Sequence, residues 1–451
     1  MKRIDATKGP LVKLIFAFAI PLMLTTFAQQ LFSLIDTVVL GNMANTNAVA
    51  SVGATNPITN LILTGFIGLS SGTSIVLARY IGQKNDDKVK KTIDTAILGA
   101  LGLGILTAII GIALAPTFLR MTDCPEECFD GAVLYTRVII AAAPATLLYN
   151  YGASILRALG DTKHPLMYIM ISGVTNVVLN VLLCLTLENK VAAVALATAA
   201  SKLISAILVI IRLIRMDDIA RIDIRNMKFD KSSFLLILRY GVPNSISNLI
   251  IPVANLQIVP AINSYGIEAV AGNSAAASIM NLPGAITGAF GSATTTFMGQ
   301  NIGAEKPDRT KKSFYYCLVI NTVIGAVTGA FFVLSGRYIL AMMLGADATV
   351  AIEYGMLRLT YVASFIFISA ANAVIRGGIH AYGYPVAGSI ASLVSTLVFR
   401  IIWMQLIYPI APSFVSIMIC FTISWVLNMI FCTVFIAILN RRYSKGIYRH
   451  I

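Results

Sequence analysis

Acidic side chains are scarce in this chain: Asp and Glu number 20 among 451 residues, against 34 Lys and Arg. Charged residues of both signs make up 12%, roughly half the about 25% of a soluble domain. So few charges cannot clothe a water-exposed surface, which excludes a conventional soluble enzyme. Histidine is rarer still, with 3 in the chain. His164, His380 and His450 all fall at expected helix ends rather than in a catalytic or metal-binding constellation. The apolar runs hold no Ser/His pair, no paired aspartates and no zinc motif, so an intramembrane enzyme is not expected. They also lack the rings of like charge or the filter sequence of a channel. Of the 6 cysteines, Cys184, Cys317, Cys420 and Cys432 lie in apolar runs and read as small core residues. Cys124 and Cys128 flank a Pro-Glu-Glu loop expected outside the cell, where a short disulfide is one reading.

Hydrophobic residues are abundant, at 57%, with a mean hydropathy of +0.81. Apolar runs long enough to cross a bilayer recur from end to end, predicting an all-α polytopic membrane protein. About twelve spans are expected, at roughly 12–40, 48–80, 93–118, 131–158, 165–187, 191–214, 233–263, 269–302, 314–336, 352–377, 386–408 and 413–439. The first run is itself long enough to span, so no signal peptide is expected ahead of it.

The net charge of +14 would suit nucleic acid, but the positive residues sit in alternate loops, and no such partner is expected. Lys2, Arg3 and Lys8 lead the chain, and Lys84, Lys88, Lys90 and Lys91 follow the second span. Arg157, Lys163 and the stretch from Arg212 to Arg239 continue the series. Lys306, Arg309, Lys311, Lys312, Arg376, Arg441, Arg442 and Lys445 complete it. The intervening loops are neutral or acidic, as with Asp123, Glu126, Glu127 and Asp130. By the positive-inside rule both termini are cytoplasmic.

The chain also repeats itself. AVASVGATNPITNL (48–61) aligns without a gap with AVAGNSAAASIMNL (269–282), and ILRALGD (155–161) faces VIRGGIH (374–380) at a nearly equal offset. The expected organisation is an amino-terminal six-helix lobe (1–215), a cytoplasmic linker (216–231) and a carboxy-terminal six-helix lobe (232–451). Parallel repeats imply a pseudo-twofold axis along the membrane normal, with a site between the lobes.

The acid that stands out is Asp36, deep in the first apolar run, with Phe32 and Gln29 on the same helical face. A carboxylate in lipid costs at least ~2.5 kcal/mol, so Asp36 should face a wet cavity or a partner. Asn176 and Asn180 share one face of the fifth span, and Thr198 and Lys202 share one face of the sixth. Lys202 lies too deep to snorkel with ease; pairing with Asp36 and a cytoplasmic vestibule both suit it. In the second half, Gln257 lies nearest the position equivalent to Asp36, and Arg400 is the other deep charge. Pro21 and Pro243 match between halves and predict kinks. Met23, Phe32, Met280, Phe290 and Met298 would give a soft lining, although such residues are more often ordinary packing.

IDTVVLG after an IPL start, LRALGDTKHPL (156–166), NVVLN (176–180) followed by VAAVALAT (191–198), and the six-plus-six repeat together resemble the multidrug and toxic compound extrusion (MATE) family. The resemblance implies a bacterial secondary antiporter that exports amphipathic, usually cationic, drugs or metabolites by alternating access. Protons or sodium ions would be the coupling ion, and no cofactor is implied. It places the protein as a multi-pass monomer in the bacterial cytoplasmic membrane. It makes Asp36 the coupling acid, with Asn176 and Thr198 as polar neighbours of a sodium or proton site and Asn150 as a further lining position. Two residues depart from the family: Asn180 stands where a second aspartate is frequent, and Lys202 where a neutral polar residue is common. Together they remove a negative charge and add a positive one, which disfavours sodium and favours coupling through protonation of Asp36. One carboxylate attracts a cation while Lys202 opposes it, so the charge of the substrate stays open. The alternative is a lipid-linked oligosaccharide flippase of the same superfamily, for which only Lys202 and Arg400 would serve as cavity cations.

Overall fold

A computed structural model describes residues 4–43, 46–121, 125–217 and 219–444; Cys124, and with it any bridge to Cys128, lies outside them. Among the described residues the chain is helical and carries no strand. The helices are α1 (Leu11–Met43), α2 (Thr46–Gly82), α3 (Asp86–Met121), α4 (Glu126–Ala141), α5 (Ala143–Ala158), α6 (Lys163–Thr186), α7 (Lys190–Ile214), α8 (Lys231–Leu256) and the short α9 (Val259–Asn263). There follow α10 (Ile267–Gly303), α11 (Pro307–Leu344), α12 (Thr349–Val362), α13 (Ile366–Ala381), α14 (Pro385–Ser392), α15 (Phe399–Ile402) and α16 (Phe414–Ser444).

By length and composition, 10 of the described helical segments can cross a membrane, and the pair α4–α5, bent by 45° around Ala142, makes an eleventh. The remaining long helix is α10, with 37 residues. It is made largely of Ala, Gly, Ser and Thr and is buried along most of its second half. A span sheltered by protein does not need the greasy surface that lipid demands, so apolarity alone does not mark it. Pro21 sits inside a continuous α1. The expected seventh span instead breaks at Gln257–Ile258, between α8 and α9, and the tenth passes through a 3-10 turn at Ala363–Phe365.

The chain forms two compact units. One comprises Met1–Ile4 and Ile20–Ser245, the other Asp5–Ala19 and Ile246–Ile451. Each unit therefore contains the start of a helix whose remainder belongs to the other. In the first unit, α8 enters against α2 through reciprocal glycines. A Cβ on Gly72 would lie 2.3 Å from the Ile237 carbonyl oxygen, and one on Gly241 would lie 2.4 Å from that of Leu69. Ser245 Oγ donates to Gly65 O at 3.0 Å, and Asn244 bonds Ser71. In the second unit, the start of α1 meets α10 through rings, Phe16 on Phe290 and Phe18 on Phe297, with centroids 6.0 and 5.6 Å apart. The segment before α1 is tied down as well. Ala6 N donates to Gln300 Oε1, and its carbonyl accepts from Asn301 and Arg309.

Local signals start and stop the helices. Asn189 caps α7 by accepting from Ala192 N at 3.0 Å. Asp230 caps α8, accepting from Ser233 N at 2.7 Å, while Phe229 and Phe234 staple the turn with rings 5.1 Å apart. Hydrogen bonds from Ser232 and Ser233 hold the Asp230 carboxyl down at about 2. Gly160, at φ +80°, makes the turn after α5, where a Cβ would lie 2.1 Å from the Ile4 carbonyl oxygen.

Candidate functional site

The first unit brings α6 and α7 together along a polar seam. Asn180 and Asn176 are both buried, one helical turn apart on α6. Asn180 Nδ2 donates to Asn176 Oδ1 at 3.4 Å, and Asn176 Nδ2 donates to Thr198 Oγ1 on α7 at 3.5 Å. One turn toward the start of α6, Ser172 Oγ donates to the Ser201 carbonyl at 2.6 Å and locks the two helices in register. Lys202 follows Thr198 by one turn and is half-buried, with its carbonyl accepting from Ser205 Oγ at 2.8 Å. Asn176, Asn180 and Thr198 thus form one hydrogen-bonded ladder, with Lys202 at its far end along α7.

Helix α1 approaches the same face of α6 through Phe32. A Cβ added at Gly173 would sit 2.0 Å from the Phe32 ring, so glycine is what admits it. Gly173 precedes Asn176 by three residues and Asn180 by seven, on one helical face. Asp36 lies on α1 one turn beyond Phe32, but its side chain is outside the described residues. The remaining expected lining positions fall elsewhere. Gln29 is exposed on α1, and Asn150 turns back on its own helix to donate to Thr146 O at 2.9 Å. Gln257 is exposed at the break between α8 and α9. Phe290 and Met298 are fully buried, and Met280 packs on the core of the second unit. Their role is packing: Phe290 and Met298 lie on the buried second half of α10, and Met280 lies against clusters of buried apolar side chains.

Away from this seam, the buried Asp94 near the start of α3 pairs with Lys90 at 3.2 Å. It reads as a structural ion pair near the helix end.

The second unit has a polar cluster of its own around Arg400, which is buried. The guanidinium donates to Asn255 Oδ1 at 2.7 Å and to Ser424 Oγ from Nη2 at 3.1 Å and from Nε at 3.3 Å. Arg358 donates to Asn273 Oδ1 at 2.6 Å. Both guanidinium carbons stand over the Phe421 ring, 4.4 Å from its centroid for Arg400 and 5.1 Å for Arg358. Sequence reasoning found Arg400 but missed Asn255, Asn273, Arg358, Phe421 and Ser424. Arg358 did carry a signal, being a charge six residues into an expected apolar span. The others are ordinary residues that only tertiary structure assembles.

The MatE family model matches residues 21–182 and 243–406 of the chain. Among curated proteins, the Bacillus subtilis protein named "Probable multidrug resistance protein YoeA" is 28% identical over 366 residues, covering 78% of each chain. An FAD transporter of Shewanella oneidensis is 28% identical over 331 residues, covering 70% of this chain and 72% of that one. Among solved structures, a MOP superfamily transporter from Pyrococcus furiosus superposes with a TM-score of 0.89 at 22% identity, over 98% of this chain and 99% of the other. An outward-facing MATE family multidrug resistance transporter of that superfamily gives 0.90 at 22% identity, over 99% of both chains. At that identity the superpositions establish a shared fold.

Proposed function

From the premise that this chain belongs to the MATE family of efflux transporters, we propose that it is a secondary active antiporter exchanging an amphipathic drug or metabolite for protons or sodium ions. Multidrug resistance and FAD transport, the activities named for its relatives, put both drugs and metabolites in the expected substrate range. The observation that carries the proposal is the buried Asn180–Asn176–Thr198 ladder. Three polar side chains in one bonded column have no place against lipid and supply the neutral oxygens that a coupling site uses. Phe32 against Gly173 sets the register of α1 on α6. One turn further along each helix come Asp36 and Asn176, with Asn180 a turn beyond, so we assign coupling to Asp36 with Asn176, Asn180 and Thr198 as its polar neighbours.

Lys202 selects between the two ions. A sodium site needs oxygen ligands and net negative charge. An ammonium one turn from Thr198, with an amide at Asn180 in place of a carboxylate, supplies the opposite. Protons are therefore the favoured coupling ion, carried on Asp36. The lipid-linked oligosaccharide flippase is not favoured, given the family match and relatives named for multidrug resistance and FAD transport. The loop charges support a multi-pass chain in the bacterial cytoplasmic membrane with both termini cytoplasmic.

The test is efflux of a fluorescent lipophilic substrate from proteoliposomes under an imposed proton gradient or an imposed sodium gradient. Proton-driven efflux that disappears in Asp36→Asn is the expected result. Proton-driven efflux that survives in Asp36→Asn would remove the acid from the mechanism.

A further inference from the structure

Two cations of the second unit, on bilayer-spanning helices, converge on one aromatic ring with no acid between them. Arg400 is 1% exposed, and the groups it donates to, on Asn255 and Ser424, are neutral oxygens. Arg358 bonds the neutral Asn273, and its Nε is buried without a hydrogen-bond partner. Among the described residues no carboxylate lies within ion-pair distance of either guanidinium. Arg337, by contrast, reaches Glu353 at 3.2 Å where both side chains are exposed. Burying a guanidinium away from water is costly, and a second one over the same ring adds repulsion. Neutral amide and hydroxyl oxygens offset only part of this. The cluster is therefore short of negative charge.

The backbone around Arg400 is unusual for a reason that charge does not explain. Arg400 lies on the single α-helical turn Phe399–Ile402, between a π-helical stretch at Leu393–Val398 and another at Trp403–Ile407. A π turn widens the helix and re-aims the side chains beside it, and such turns concentrate at functional sites. On the other side of the cluster, Arg358 is half-buried and Asn255 is exposed.

We propose that Arg358 and Arg400, held over Phe421, bind the anionic group of an amphipathic substrate, a carboxylate or a phosphate. A guanidinium presents paired N–H donors in a planar fork that matches both groups. The inference rests on the transporter reading and extends it: acid-bearing and zwitterionic solutes belong to the substrate class. It also fits the first unit, where Lys202 adds positive charge beside the expected coupling site.

The probe is flavin mononucleotide, an aromatic phosphate, compared with riboflavin, its uncharged parent. Full-length protein in neutral phosphatidylcholine nanodiscs is titrated by flavin fluorescence. Saturable binding of flavin mononucleotide, at least about tenfold tighter than riboflavin, is expected. Arg358→Gln should weaken it by about tenfold or more while leaving riboflavin binding unchanged. Arg400→Lys, which keeps the charge and loses the fork, should weaken it less than that and still measurably. The lysine variant keeps the test readable if Arg358→Gln does not fold. Adding phosphatidylglycerol separates two sources of the anion. Competition identifies a lipid headgroup as an occupant of the site, and its absence identifies a soluble solute. Equal binding of the two flavins, no saturable binding, or an Arg358→Gln variant with wild-type affinity would each overturn the proposal. Loss of the antiporter reading would appear separately, as absent efflux in proteoliposomes, and leaves this binding measurement intact.

Discussion

Lys202 occupies the midpoint of α7, whose ends are Lys190 and Ile214. Its neighbours on the helix are oxygen-bearing: Thr198 one turn before, and Ser205 just after, bonding its carbonyl. An ammonium there competes for the space and the oxygens that a bound sodium ion would take. Replacing Lys202 by Gln removes the charge and adds a carbonyl oxygen at about the same reach. Efflux by Lys202→Gln should then acquire or strengthen a sodium dependence, read as a several-fold gain when an inward sodium gradient is imposed on proteoliposomes. Ion dependence identical to the parent protein would sink the assignment of Lys202 to the coupling site. The spacing of polar residues along α6 and α7 made this ladder legible in the sequence, because i, i+4 neighbours share a face whatever surrounds them. The cluster around Phe421 was not legible. Asn255, Asn273, Arg358, Phe421 and Ser424 come from α8, α10, α12 and α16, and nothing local ties residues so far apart in the chain.

Among the helices, α8 shows how an element is placed by its first turn. Phe229 and Phe234 close around Asp230, and the Phe234 ring fills the space at Gly99, where a Cβ would come within 2.6 Å of it. Asp230 N donates to Thr95 Oγ1 at 3.0 Å, which anchors the turn on α3. The charged carboxylate favours the helix start through the backbone dipole and its bonds to Ser232 and Ser233. Those bonds lower the folded-state pKa to about 2, below the about 3.9 of an unfolded chain. The stabilisation is therefore complete above that unfolded value and is lost as pH falls through about 2. Asp230→Ala should lower the melting temperature of the detergent-solubilised protein at pH 7, on the order of one to two degrees. The difference from the parent should shrink between about pH 4 and pH 2. A difference independent of pH would mean that packing, not the charged cap, sets the entry of α8. Outside α10, the spans were readable from hydropathy, whereas the breaks were not. The expected fourth span bends at Ala142 and the seventh opens at Gln257–Ile258, each two residues ahead of a proline in the first turn of the next helix, Pro144 and Pro260. A proline there has no N–H for the carbonyl one turn back, of Ile140 and of Leu256, and its ring crowds that carbonyl.

At the scale of the whole chain, the internal repeat governs how the two units are made. Hydropathy and the repeated AVA segments divide the sequence into contiguous halves, each with its own spans. The compact units instead draw from both halves: Asp5–Ala19 belongs with Ile246–Ile451, and the chain up to Ser245 belongs with Ile20 onward. No sequence period reports this, because the apolar face of a helix start looks the same whichever partner it meets. The contacts that make it so are specific. Gly72 and Gly241 let α2 and α8 touch at backbone distance, and Phe16 and Phe18 stack on α10. A cut in the loop between the two halves, giving fragments 1–226 and 227–451, therefore removes a core element from each unit. Expressed alone, fragment 1–226 lacks the α8 residues that cover Gly68 and Gly72, and fragment 227–451 lacks the α1 rings that cover Phe290 and Phe297. Each should elute as aggregate on size exclusion. Co-expressed, the fragments should recover a monodisperse complex with gradient-driven efflux, since the starts of α1 and α8 can still meet their partners in the same membrane. If either fragment alone is monodisperse and melts cooperatively, the exchanged helix starts contribute little to the cores. The contiguous halves would then be the units that fold.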